Sequence, residues 1–122
     1  MSRNLTLGVH VGHDAAAAIF ADSRLRYAEE EERHTRQKAQ GGCPWQAIEA
    51  GLEAVGAAAD EVRTVALTWS LGPYLQCRRE LAEHARQVGN DGWFQKRQRE
   101  LTVIAQAVEA LRRRFPRAAL VD

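Results

Sequence analysis

The chain has 122 residues, with 17 Lys and Arg against 16 Asp and Glu and a formal net charge of +1. That is room for a single domain, residues 1–122, with one small core and not two. At 45% hydrophobic and 27% charged residues, composition excludes a disordered chain, and the longest apolar run, Ala15 to Ala21, is too short to cross a bilayer as a helix.

Leu5, Leu7, Val9 and Val11 alternate with Thr6, Gly8 and His10, the period of a half-buried strand. Gly12-His13-Asp14 breaks it. Ala15 to Ala21 reads as a second, narrow strand; four consecutive alanines also favour helix, but Gly12 before and Asp22-Ser23 after decide for a strand between turns. Leu25 to Glu30 is then a third strand, with Leu25, Tyr27 and Glu29 on one face, so two hairpins join three antiparallel strands. Residues 31–44 are polar, end in Gly41-Gly42-Cys43-Pro44 and read as a loop. Pro44 suits the first turn of a helix carrying Trp45, Ile48, Leu52 and Val55 on one face, with Gly56 at its end.

Val62 to Trp69 returns to strand through Val65 and Leu67. A helix from about Tyr74 to Val88 stops at Gly89-Asn90-Asp91-Gly92. A longer one from Trp93 to Arg114 presents Leu101, Ile104, Val108, Leu111 and Phe115, until Pro116 ends it. Ala118 to Val121 is a last short strand. The order β-β-β-α-β-α-α-β predicts an α/β domain built on a five-stranded mixed sheet, its later strands joined by right-handed parallel crossovers and its helices on one face. A strand as apolar as Ala15 to Ala21 wants cover on both faces, so an exposed apolar face and a partner to cover it are expected.

Charge is uneven. Residues 71–122 carry ten basic and six acidic side chains, but the bases are interleaved with acids and no nucleic-acid module is visible, so a solvated or acid-facing helix surface is the expectation. The opening Met-Ser-Arg-Asn-Leu has no signal-type apolar segment, and Cys43 and Cys77 lie far apart; a cytoplasmic protein with free thiols is expected. No membrane partner is implied.

The densest polar cluster is His10-Val11-Gly12-His13-Asp14. Joint metal ligation by His10 and His13 would need a bend at Gly12, because residues three apart on a strand face opposite ways; His10 is the one metal candidate, and no ligand set is assigned. His13 and Asp14 read either as a polar strand end or as a general base or ligand with a carboxylate that orients it, beside a glycine that lets a ligand approach the backbone. Glu29-Glu30-Glu31-Glu32 reads as a solvated charge run whose members would alternate in direction. Arg33, Arg36 and Lys38 follow it in the polar loop with Gly41-Gly42, a combination suited to a phosphate or carboxylate. GxxxxGK[ST], GxGxxG, CxxC, HExxH and GxSxG are all absent. Trp69 reads as core and His84 as surface.

Taken together, Gly12-His13-Asp14-Ala15-Ala16-Ala17-Ala18, Glu30-Glu31-Glu32-Arg33, Arg36, Lys38, Gly41-Gly42, Pro44 and Ala47-Ile48 resemble the opening of the antibiotic and nodulation-factor carbamoyltransferases. Val65-Ala66-Leu67-Thr68-Trp69 is similar to that family's fourth strand. The likeness covers residues 5–70 by motif and 71–122 by layout. It implies half of an actin/Hsp70-like (ribonuclease H-like) domain, related to the enzymes of tRNA threonylcarbamoyl-adenosine synthesis. In that family a YrdC-like domain makes carbamoyl-adenylate from ATP and carbamoyl phosphate. The actin-like domain passes the carbamoyl group to a hydroxyl of a natural product, with a divalent metal, iron in some members, held by an HHxxH motif and a later Asp. By the resemblance His13 would stand near the acceptor hydroxyl as general base with Asp14 beside it, and Arg33, Arg36 and Lys38 would contact anions.

HHxxH, the second half of the fold and the YrdC-like domain are absent from these residues. The reading is therefore a small subunit or N-terminal fragment of an O-carbamoyltransferase, inactive alone, paired with a larger polypeptide that carries HHxxH and the YrdC-like domain, and acting on a small-molecule acceptor. ATP and iron belong to the complete enzyme. The alternative is a non-catalytic interaction or regulatory module with the inherited half-fold; a free-standing metal or nucleic-acid binder is the least supported.

Overall fold

The computed structural model describes residues 3–38, 40–69 and 71–122, the side chains of 71–78 excepted. Alternation along β1 (Leu5–His10) sends Leu5, Leu7 and Val9 into the core and Thr6, Gly8 and His10 the other way. β1 pairs antiparallel with β2 (Ala16–Ala21), and β2 with β3 (Arg24–Glu30), which forms the expected meander. A short helix α1 (Glu32–Thr35) and helix α2 (Trp45–Val55) lead through a 3-10 turn at Ala59–Glu61 to β4 (Val62–Leu67), parallel to β1. Helices α3 (Leu71–Gln87) and α4 (Asp91–Arg114) then lead to β5 (Ala119–Val121), parallel to β4. The sheet order is β3-β2-β1-β4-β5.

The loop expected over 31–44 is thus interrupted by α1, a single turn ending at Arg36 in the left-handed region (φ 61°). Pro44 stands just before α2 rather than inside its first turn, and α3 starts about one turn earlier than Tyr74. The face shared by Leu25, Tyr27 and Glu29 is also corrected. Ile19 opposes Tyr27 but Phe20 opposes Leu25, so Arg26 is an extra residue, a bulge that turns Leu25 to the face away from the helices. A second bulge at Arg63 puts Val62 and Val65, three apart, both in the core.

One core lies between the sheet and the helices. Ala47, Ile48 and Leu52 of α2 and Ile104, Ala107 and Leu111 of α4, with Phe115, meet Leu5, Leu7, Val9, Ile19, Val62 and Val65. Gly51 is where α2 crosses the meander: a Cβ there would lie 2.6 Å from Tyr27 Cδ1 and 2.8 Å from Ile19 Cδ1, so only glycine allows this approach. Arg114 clamps Glu49 at 2.8 and 3.0 Å, tying α4 to α2. Among the described residues nothing covers the opposite face of the sheet, with Gly8, Ala18 and Ala66 at its centre and Phe20 and Leu25 exposed toward one edge. Among the described residues no helix is long and apolar enough to cross a membrane.

Arg3 fastens the start of β1 to the end of α2. Its guanidinium donates to the Val55 and Gly56 carbonyls at 3.0 and 2.8 Å and to Glu61 Oε2 at 3.2 Å. Glu61 also accepts from the Ala58 and Arg3 backbone N–H groups. These bonds, the Ala58 one foremost, lower its pKa from 4.5 to about 2. Because the folded-state value is depressed, the contribution is complete above about pH 4.5 and is lost as pH falls toward 2. Acid unfolding curves of the wild type and Glu61→Gln are expected to diverge in stability above that window and to converge within it.

Candidate functional site

Parallel strands β1 and β4 end side by side, and the chemistry-bearing residues gather at their C-terminal edge, where open α/β sheets commonly bind ligands. The backbone doubles back there. Gly12 has φ 118°, and Asp14 is left-handed at φ 61°, a state aspartate tolerates better than most residues. Gly12 N–H donates to the Gly42 carbonyl and Ala15 N–H to the Gln40 carbonyl, both at 2.9 Å, so the 40–43 segment lies against this turn.

The fold-back brings the His13 carbonyl to His10, 2.9 Å from Nε2, while Nδ1 lies 2.6 Å from the Thr68 hydroxyl oxygen. A carbonyl only accepts, so Nε2 carries hydrogen; in the neutral ring Nδ1 then accepts from the Thr68 O–H. Trp69 stacks along the imidazole, with ring centroids 6.4 Å apart and an 18° interplanar angle, and its indole N–H donates to the Val11 carbonyl at 2.6 Å. His10 is therefore held at both nitrogens and along one face. Neither nitrogen is left for a metal, and among the described residues no group of three or more His, Cys, Asp and Glu could hold one.

His13 and Asp14 form their own pair, Nδ1 to Oδ2 at 2.7 Å, with side chains 80% and 56% exposed. With Nδ1 bonded to the carboxylate, Nε2 faces outward as a proton acceptor. Beside this pair, on the bare face, is an open concavity of about 750 Å³ lined by His10, Thr68, Glu30 and Arg33 over a floor that includes Gly8 and Ala18. Of the expected anion contacts only Arg33 lines it; Arg36 and Lys38 are exposed on the loop beyond. Glu30 hydrogen-bonds Glu32, and that bond, repulsion by Glu32 and the nearby Asp14 raise its pKa.

The glutamate run alternates in direction, but not all of it is solvated. Glu31 is 5% exposed and accepts from the Ala47 and Gln46 N–H groups at 2.8 and 3.2 Å. It caps the start of α2, where Pro44 offers no side-chain cap. Glu29 accepts from the Tyr27 hydroxyl and bonds His34 Nε2, each at 2.7 Å, which lashes α1 to β3 and fixes Arg33 one residue away. The Tyr27 bond first, then His34, lowers the Glu29 pKa; burial and Glu29 push Tyr27 far up. Cys43 is a free thiol, pushed up to about 12 by burial and then by Glu31; the Cys77 side chain lies outside the described residues.

The structure thus joins His10 and Arg33 in one concavity, keeps His13 and Asp14 exposed on the turn after β1 and outside its lining, and leaves Arg36 and Lys38 outside as well. Thr68 and Glu31 are the residues that sequence reading missed. Thr68 had a signal: the alternation Thr64, Ala66, Thr68 runs beside Thr6, Gly8, His10 once β1 and β4 are paired. Glu31 had none, because its partners are 15 and 16 residues away. Trp69 packs on the core as expected, yet also positions His10. The chain matches no model of a protein family and no curated protein.

Proposed function

We propose that this chain is the acceptor-side piece, a small subunit or N-terminal part, of an ATP-dependent O-carbamoyltransferase with half of an actin/Hsp70-like fold. The observation that carries the reading is the exposed His13–Asp14 pair, on the turn whose His13 carbonyl meets His10 of the concavity. The likeness of the GHDAAAA and EEER segments to the carbamoyltransferases supplies the chemistry. Asp14 holds Nδ1–H of His13, and Nε2 takes the proton of an acceptor hydroxyl as its oxygen attacks the carbamoyl carbonyl carbon and the bond from that carbon to the phosphate oxygen of the adenylate breaks, with AMP leaving. Arg33 faces the anionic portion of the donor.

In this reading iron, ATP and the formation of carbamoyl-adenylate belong to polypeptide outside these 122 residues, carrying HHxxH and a YrdC-like domain. That polypeptide covers the bare face. The protein works in the cytoplasm on a small natural-product acceptor.

The test is a tagged purification from the native cell with intact-mass analysis, followed by assay of carbamoyl phosphate and ATP turnover. The chain alone is expected to give no carbamoylated acceptor and the pair to give it. His13→Ala in the pair is expected to lower the rate by roughly 10²–10⁴-fold. Recovery of the chain as a lone soluble dimer, with no effect of His13→Ala on any pair activity, would leave a non-catalytic interaction module in its place.

A further inference from the structure

His10 and Thr68 are not used by the reading above, and their geometry does not depend on it. A threonine hydroxyl 2.6 Å from an imidazole nitrogen, whose other nitrogen is anchored on a backbone carbonyl, has the parts of an activated nucleophile: attacking oxygen, base, and a group that fixes the tautomer of the base. The arrangement is built rather than incidental. The left-handed Asp14 and the φ 118° of Gly12 turn the His13 carbonyl back to Nε2, and Trp69 closes one side of the ring. Thr68 itself is exposed, and it lines the concavity that also presents Arg33 and Glu30. The floor of glycine and alanine leaves room above the hydroxyl, and Arg33 offers a cation for an anionic leaving group.

We infer that Thr68, with His10 as its base, is a self-acylation site that takes an acyl group from an acyl phosphate. Thr68 Oγ attacks the acyl carbonyl carbon while its proton passes to His10 Nδ1. The carbon–oxygen bond to phosphate breaks, inorganic phosphate leaves beside Arg33, and His10 Nδ1 returns the proton to it. The product is an ester on Thr68. No oxidant, metal or nucleotide enters the balance. Asp14 and His13 take no part, so carbamoyl transfer could fail and this inference stand, or the reverse.

The probe is acetyl phosphate with the purified 122-residue chain, read by intact mass and peptide mapping before and after alkaline hydroxylamine, which cleaves oxygen esters and spares the amides formed at Lys38, Lys96 or the N-terminus; neutral hydroxylamine, which releases thioesters, is the control for Cys43 and Cys77. One acetyl group on Thr68, labile to alkaline hydroxylamine, is expected. It should vanish in Thr68→Val, persist in Thr68→Ser, and form roughly 10²-fold or more slowly in His10→Ala, with added imidazole restoring part of the rate. Label that resists alkaline hydroxylamine, lies elsewhere, or is a phosphoryl group overturns the inference. So does equal labelling of Thr68 in His10→Ala, or no labelling in the wild type. Because Thr68→Ser preserves the hydroxyl and the fold, its failure to label while folded also counts against it.

Discussion

Glu31→Ala is expected to destabilise the fold by about 2–4 kcal/mol. The carboxylate is 5% exposed and takes up two N–H groups at the start of α2, where the preceding residue is a proline with no capping side chain. Alanine leaves both donors unsatisfied in a nearly closed site, and the cost of an unmet buried donor exceeds the net value of an ordinary bond. The loss also removes negative charge from a helix N-terminus. Glu31→Gln keeps one oxygen acceptor and should recover about half. Urea unfolding with unchanged m-value and a lowered midpoint is the measurement. A shift of the size seen for an exposed glutamate, within about 0.5 kcal/mol, would show that water replaces the carboxylate.

Phe115→Ala is expected to cost about 3–5 kcal/mol, a large part of the roughly 5–15 kcal/mol that holds a domain of this kind together. Phe115 is fully buried where α4 ends, its N–H bonded to Leu111 and its carbonyl to Ala118 at the entry to β5. The ring fills the space between α4 and the sheet, and the Arg114 guanidinium lies 5.4 Å from its centroid. Nothing on the helix side can collapse into the gap, because Leu111 and Ile104 are themselves buried in the same core. Thermal unfolding should show the loss; Phe115→Leu, which keeps most of the volume, should lose far less.

Much of the fold is written in local periodicity. Leu5, Leu7 and Val9 declare a strand by alternation, and Trp45, Ile48, Leu52 and Val55 declare a helix by spacing; each pattern needs only its own neighbours to be read. Leu25 and Arg63 show where this stops. A bulge inserts one residue and reverses every face assignment beyond it, and nothing in Arg24-Leu25-Arg26-Tyr27 marks which residue is extra. Glu31 shows a second limit. A carboxylate in a run of four looks solvated, and only the arrival of α2 above it makes it a cap. The cluster around His10 lies between: its residues stand out in sequence, but the bond to Thr68 spans 58 positions and exists only because β4 lands beside β1.

The two outer strands constrain how the sheet can meet other chains. β5 has three residues, and β3 carries the kink at Arg26 with Arg24, Arg26 and Glu30 exposed along it. Short, charged or kinked borders are poor templates for adding a further strand. Growth of the sheet edge to edge, the route to fibrils, is therefore blocked at both sides. The apolar broadside remains sticky, so whatever associates with this protein must lie flat across the strands rather than extend them. Crowded on its own, the chain should form amorphous clumps and not ordered cross-β fibres.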